Sequence, residues 1–125
     1  MKIKLTSVFV NDPLAAHTFY TEVLGFKSFM FMPEHWLAIV VSPEEPDGTA
    51  LLLEPNVNLG AKDFQAGIYE AGLPVIVFGV DDIQAEYERL QARGVAFRKP
   101  PTPSDFGIEA VFDDTCGNLI QMVQG

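Results

Sequence analysis

The feature that most constrains this chain is a local pattern spelled out twice. Residues 2–10 alternate apolar and polar side chains at period two, as a half-buried strand does. Asn11-Asp12-Pro13 follows, an N-cap candidate with a proline suited to a first helical turn. Leu14, Phe19, Val23 and Leu24 then supply helical spacing, and Gly25 is placed as a left-handed cap. Residues 75–80 begin the pattern again as a strand. Asp81-Asp82 offers the cap, Ile83, Tyr87 and Leu90 form an apolar helix face, and Gly94 closes it. The separation from Asp12 to Gly25 equals that from Asp81 to Gly94 (25 − 12 = 94 − 81). Three further strands are expected after each helix, at 26–32, 36–41 and 49–54, and at 95–98, 108–112 and 118–123. Pro100, Pro101 and Pro103 are read as excluding regular structure between the first two of the second set. The product is an α+β fold of duplicated βαβββ modules whose mixed sheets curve into a cup, one helix covering one face of each sheet. One domain, 1–125, is expected, with module one at about 1–55, a joining segment at 56–73 that holds a short helix over 61–71, and module two at 74–125.

Composition narrows the function classes. The chain has 125 residues, 48% of them hydrophobic and 20% charged, enough for one ordinary packed core. Its longest apolar runs, 36–41 and 75–80, are far shorter than a bilayer requires. The N-terminus runs directly into a strand pattern without an apolar leader, so a cytoplasmic location is expected. Cys116 is the one cysteine, which excludes an internal disulfide. Its neighbours Asp114, Thr115, Gly117 and Asn118 make a turn without the positive surroundings of a reactive thiolate. Seventeen acids against eight bases leave a formal charge of −9, which repels phosphate backbones and anionic lipid. Neither nucleic acid nor membrane is an expected partner.

With the repeat in place, three phrases become informative: Asp12 with Phe19-Tyr20-Thr21-Glu22-Val23-Leu24-Gly25-Phe26, Val80-Asp81-Asp82-Ile83 with Ala92-Arg93-Gly94-Val95, and Asp113-Asp114-Thr115-Cys116-Gly117-Asn118-Leu119-Ile120. In order and spacing they resemble the vicinal-oxygen-chelate superfamily of glyoxalase I, extradiol dioxygenases, and fosfomycin- and bleomycin-resistance proteins. The resemblance covers nearly the whole chain. It implies that enzymatic relatives hold a divalent metal with up to four side chains from the first and fourth strands of each module. Those positions fall here on Leu5, Leu51, Val75 and Gln121, with a common offset (75 − 5 = 121 − 51). Leucine and valine offer no lone pair, and one glutamine oxygen cannot hold an ion alone. Glu54, three residues past Leu51, is expected on the opposite strand face. No metal or other cofactor is therefore expected.

Catalytic candidates are sparse as well. His17 and His35 have no partner at metal-ligand spacing. No serine occupies a nucleophile elbow, and no glycine-rich loop precedes a helix. No catalytic residue is assigned. The aromatic content is more suggestive: ten phenylalanines, three tyrosines and one tryptophan. If Leu5, Leu51 and Gln121 face the cup, period two places Ser7, Phe9 and Leu53 there too, with Trp36, Phe31, Phe106 and Phe112 as aromatic walls. The same residues would also serve as plain core. Resemblance to the bleomycin-resistance branch implies metal-independent sequestration of a hydrophobic or aromatic small molecule, an antibiotic for instance. It also implies a homodimer whose pockets lie at the subunit interface. The alternatives are a glyoxalase-like lyase or isomerase, or a dioxygenase, with a displaced metal site, and an interaction module whose cup is closed by a protein or by Phe64 and Tyr69 of the joining segment.

Overall fold

Each half of the repeat folds into a four-stranded mixed sheet with a helix on one face. The computed structural model describes all residues, Met1–Gly125, as two compact units, Met1–Asp63 and Phe64–Gly125. In the first unit β1 (Leu5–Val10) pairs in parallel with β4 (Ala50–Pro55), and β3 (Leu37–Val41) and β2 (Lys27–Met32) continue the sheet antiparallel, giving the order β1-β4-β3-β2. In the second, β5 (Ile76–Gly79) pairs in parallel with β8 (Leu119–Gln124), followed by β7 (Gly107–Asp113) and β6 (Phe97–Ser104) in the same arrangement. The helices are α1 (Pro13–Thr18), α2 (Leu59–Glu70) and α3 (Ile83–Ala92). No helix is long and apolar enough to cross a membrane.

The helix starts follow from the aspartates. Asp12 Oδ1 accepts from the amides of Leu14 (2.9 Å) and Ala15 (3.4 Å), and Asp82 Oδ1 accepts from Ala85 N (3.1 Å). Each aspartate occupies donors that a helix N-terminus otherwise leaves unpaired. The expected first helix is not α-helical throughout. From Phe19 to Val23 it widens into a π-helical turn, with Leu24 N donating to Phe19 O at 3.0 Å. Thr21 Oγ1 donates to His17 O at 2.7 Å, the kind of side-chain competition that loosens a regular helix at this point. Gly25 and Gly94 take positive φ of 94° and 86°, the left-handed geometry their placement after the helices called for.

The structure corrects the reading of the prolines. β6 runs through Pro100, Pro101 and Pro103 to Ser104. It can do so because β6 is an edge strand of its sheet and its pairing with β7 slips twice, between Phe97 and Lys99 and between Lys99 and Thr102. An edge strand has no second neighbour waiting for the missing N–H groups, and irregular pairing absorbs the rest.

The cores lie between helix and sheet. In the first unit α1 packs on β3 and β4, enclosing Val8, Val10, Ala38, Val40, Leu53 and Tyr20. In the second, α3 packs on β6, β7 and β8 over Phe112, Ile120, Met122, Ile83 and Leu90. Phe97 bridges the layers, edge-on to Tyr87 at 4.6 Å and tilted against Phe112 at 5.6 Å. At the tight β6–β7 turn, Gly107 has φ 121°, and a Cβ there would collide with the Gln124 carbonyl oxygen. Gly107→Ala is therefore expected to cost roughly 2 kcal/mol, read as a lowered melting temperature.

Candidate functional site

The face of each sheet away from its helix is the candidate site, and strand pairing decides which residues reach it. Parallel neighbours in register share a face. In the first unit Ser7 lies beside Leu52 and Phe9 beside Glu54, while Thr6 lies beside Leu51 and Val8 beside Leu53. Val8 is buried against the helix, so Leu51 and Leu53 belong to the helix-covered face, where they are 6% and 0% exposed. The cup-facing assignment of these two leucines is corrected. The position inferred on β4 is one residue out of step with that on β1, and a slip of one residue inverts every side chain on a strand. Leu5, Ser7 and Phe9 do share the open face, joined by Leu52, Glu54, Ile39 and Met30 through the β4, β3 and β2 pairings. Leu5 is 49% exposed there.

The aromatic wall is dispersed. Phe31 pairs with Ala38 on the helix side of β2 and stacks on His17 of α1, with centroids 4.0 Å apart and planes 14° from parallel. The irregularity between Ser28 and Met30 sets that facing. Phe112 pairs with Ile120, is 1% exposed, and is core rather than cup. Trp36 stands in the turn between β2 and β3 with a left-handed φ of 54°, and Phe106 in the β6–β7 turn is 81% exposed. Both are rim positions at strand ends, not sheet-face positions.

His17 also pairs Nε2 with Ser28 Oγ at 2.9 Å. Burial lowers the His17 pKa, and the nearby Glu22 carboxylate opposes the shift. A lowered histidine pKa means that the unfolded chain protonates first as pH falls. Stability from this group is complete above the ordinary histidine value, declines as pH drops through that value, and levels off below the folded-state pKa. The loss of melting temperature between pH 7.5 and 5.5, followed by calorimetry, should be smaller in His17→Gln than in the parent.

On the second unit the open face carries Val77, Gln121, Val123, Val111, Glu109 and Lys99. Val77 lies beside Gln121 on neighbouring parallel strands and is 53% exposed. Across three strands the polar groups are linked. Lys99 Nζ donates to Glu109 Oε1 at 3.0 Å, and Gln121 Nε2 donates to Glu109 Oε2 at 3.0 Å. The bond from Lys99 holds the Glu109 carboxyl below the usual carboxylate range, against partial desolvation, with help from the Ser104 hydroxyl. At the turn end of this sheet, the Tyr69 hydroxyl of α2 donates a short hydrogen bond to Asp113 Oδ2 and accepts one from Arg98 Nη2 at 2.9 Å. The Asp113 bond raises the Tyr69 phenol above its ordinary value, burial adds to it, and Arg98 acts in the opposite sense.

The β7–β8 turn is built around buried Asp114. Its Oδ1 accepts from Cys116 N (2.7 Å) and Asn118 N (3.0 Å), and its Oδ2 from Asn118 Nδ2 (2.9 Å). Gln65 of α2 then donates to Cys116 O and Asn118 Oδ1, both at 3.2 Å. Cys116 is buried in this turn. Its amide and carbonyl are both part of the turn, so the phrase Asp-Thr-Cys-Gly-Asn is structural in character.

The donor set does not fit a divalent ion. No three of His, Cys, Asp and Glu come together anywhere in the chain. Of the positions inferred for ligands, Leu5 and Gln121 reach an open face, Leu51 lies against the helix, and the residue beside Gln121 is Val77 rather than Val75. Glu54 lies on the strand face opposite Leu51, as expected, and because Leu51 lies against the helix this puts Glu54 on the open face of the first unit, where its neighbour Phe9 and the pair Ser7–Leu52 add no strong ligand.

Comparison with known proteins agrees with this architecture. The family profile described as Glyoxalase/Bleomycin resistance protein/Dioxygenase superfamily matches residues 2–122. The protein YurT of Bacillus subtilis (strain 168) is 52% identical over 127 residues, covering 99% of both chains. Among solved structures, UcmS2 superposes with a TM-score of 0.81 at 30% identity, over 98% of this chain and 96% of its own. TnmS3, an antibiotic binding protein from Streptomyces sp. CB03234, superposes with a TM-score of 0.75 at 28% identity, over 99% of this chain and 95% of its own. By sequence and by fold, the chain belongs to the glyoxalase/bleomycin resistance protein/dioxygenase superfamily.

Proposed function

We propose that this protein binds and sequesters a hydrophobic or aromatic small molecule, of the antibiotic kind, without a resident metal. The observation that carries the reading is the make-up of the open faces. They present exposed apolar side chains, Leu5 and Val77 among them, with a few polar groups, Ser7 and the Gln121 amide that Glu109 and Lys99 hold in place. Apolar surface with sparse, oriented polar contacts is what a binding site for a flat organic molecule needs. Trp36 and Phe106 at the strand ends add aromatic edges against which such a molecule can stack. The similarity to TnmS3 supports the same class of ligand. We propose further that the protein acts as a homodimer with its pockets at the subunit interface, because exposed apolar sheet faces favour a covering partner. Protection is then stoichiometric, set by affinity rather than turnover.

Titration calorimetry with a panel of aromatic antibiotics, alongside sedimentation velocity, tests this reading. Saturable binding near one ligand per chain to a dimeric species is expected. One ion per chain retained after equilibration with Ni²⁺, Fe²⁺, Zn²⁺ or Mn²⁺ and desalting, together with multiple turnover of a substrate, would overturn it in favour of an enzyme.

A further inference from the structure

The row Lys99–Glu109–Gln121 lies on three adjacent strands of the second sheet. Glu109 faces Val123 across the β7–β8 ladder and Thr102 across β6–β7, so Gln121 and Lys99 reach it from diagonal positions on either side. Glu109 is held ionised by Lys99, and an ionised carboxylate only accepts hydrogen bonds. The end of the Gln121 amide that meets Glu109 Oε2 must therefore be the nitrogen. The chemistry of the partners, rather than the shape of the amide, sets its sense. Oε1 is turned away from Glu109, and the nearest residues sharing the face, Val77, Val111 and Val123, offer it no donor. An amide oxygen covered by an apolar ligand loses its water without replacement, which is costly.

We propose that Gln121 Oε1 is a fixed hydrogen-bond acceptor that selects the ligand. On this basis the open face of the second sheet prefers aromatic molecules carrying an O–H or N–H donor to molecules of the same size without one. Lys99 and Glu109 are positioning residues, locking the amide sense rather than touching the ligand. The inference rests on the binding reading above and adds the chemical class of the ligand.

The test is calorimetry of the full chain with 2-naphthol and 2-fluoronaphthalene, which differ chiefly in the donor. The parent protein is expected to bind 2-naphthol about tenfold more tightly, the span of one hydrogen bond gained against an acceptor left unmet. Gln121→Leu should bind the two probes with about equal affinity, since no acceptor remains to discriminate. Glu109→Gln frees the amide to turn and should reduce the preference while retaining binding. Equal affinities in the parent overturn the acceptor role and leave aromatic binding standing. Binding of neither probe removes both. A preference that survives Gln121→Leu also sinks the proposal. If that variant does not fold, Glu109→Gln decides alone, and an unchanged preference counts against it.

Discussion

Phe112→Ala is expected to lower stability by about 3–5 kcal/mol, the usual range for emptying a large aromatic from a closed core. Phe112 is 1% exposed, pairs with Ile120 on the helix side of β7, and packs at 5.6 Å from Phe97, which in turn meets Tyr87 of α3. Removing it leaves a cavity under α3 that neighbouring side chains, already fixed by the β-ladder on both sides, cannot fill. Chemical denaturation should show a lowered midpoint with an unchanged slope. The same variant discriminates between two roles for the residue. Were Phe112 a ligand wall, its loss would weaken binding with little effect on the unfolding midpoint.

Val77→Arg is the complementary experiment. Val77 is half exposed on the open face, beside Gln121 and across the sheet from the helix that carries the core. Arginine there is solvated in the free protein, so stability should change by less than about 0.5 kcal/mol. A bound aromatic ligand would have to strip water from the guanidinium, and affinity should fall about a hundredfold, roughly 3 kcal/mol. Binding measured by calorimetry and stability measured by thermal melting separate the two effects. Undiminished affinity in this variant would show that the second sheet's open face is not where the ligand sits. Together the two substitutions ask whether the faces of one sheet divide the work as the pairing implies: stability on the helix side, recognition on the other.

Much of the fold was legible because its determinants are local. The repeat could be read from two aspartate caps, two closing glycines and alternating strands, all of which act within a few residues. The caps and the left-handed glycines stand where those residue types require them. The π-helical turn was not legible, since Thr21 bonding back to His17 O competes with a regular turn only when the surrounding packing favours it. The course of β6 through three prolines was not legible either, because tolerance of proline depends on standing at a sheet edge, and edge position is decided by strand order.

The candidate site divides in the same way. Ser7, Phe9 and Gln121 could be placed on a face by counting along single strands, whereas Leu51, Leu53, Phe31 and Phe112 could not. A strand's facing is a parity, and parity is inherited from its neighbours: β4 takes its facing from β1, β2 from the irregular pairing around Phe29, and β7 from β8. The Lys99–Glu109–Gln121 row gave no signal in the chain, since its members lie ten and twelve residues apart on three strands. The sequence by itself determined the duplicated βαβββ order and the helix ends, because these depend on residue chemistry and short-range geometry. Only the tertiary structure decided which side chains share an open face and which carboxylate meets which amide, because hydrogen-bonded register between strands distant in sequence sets both.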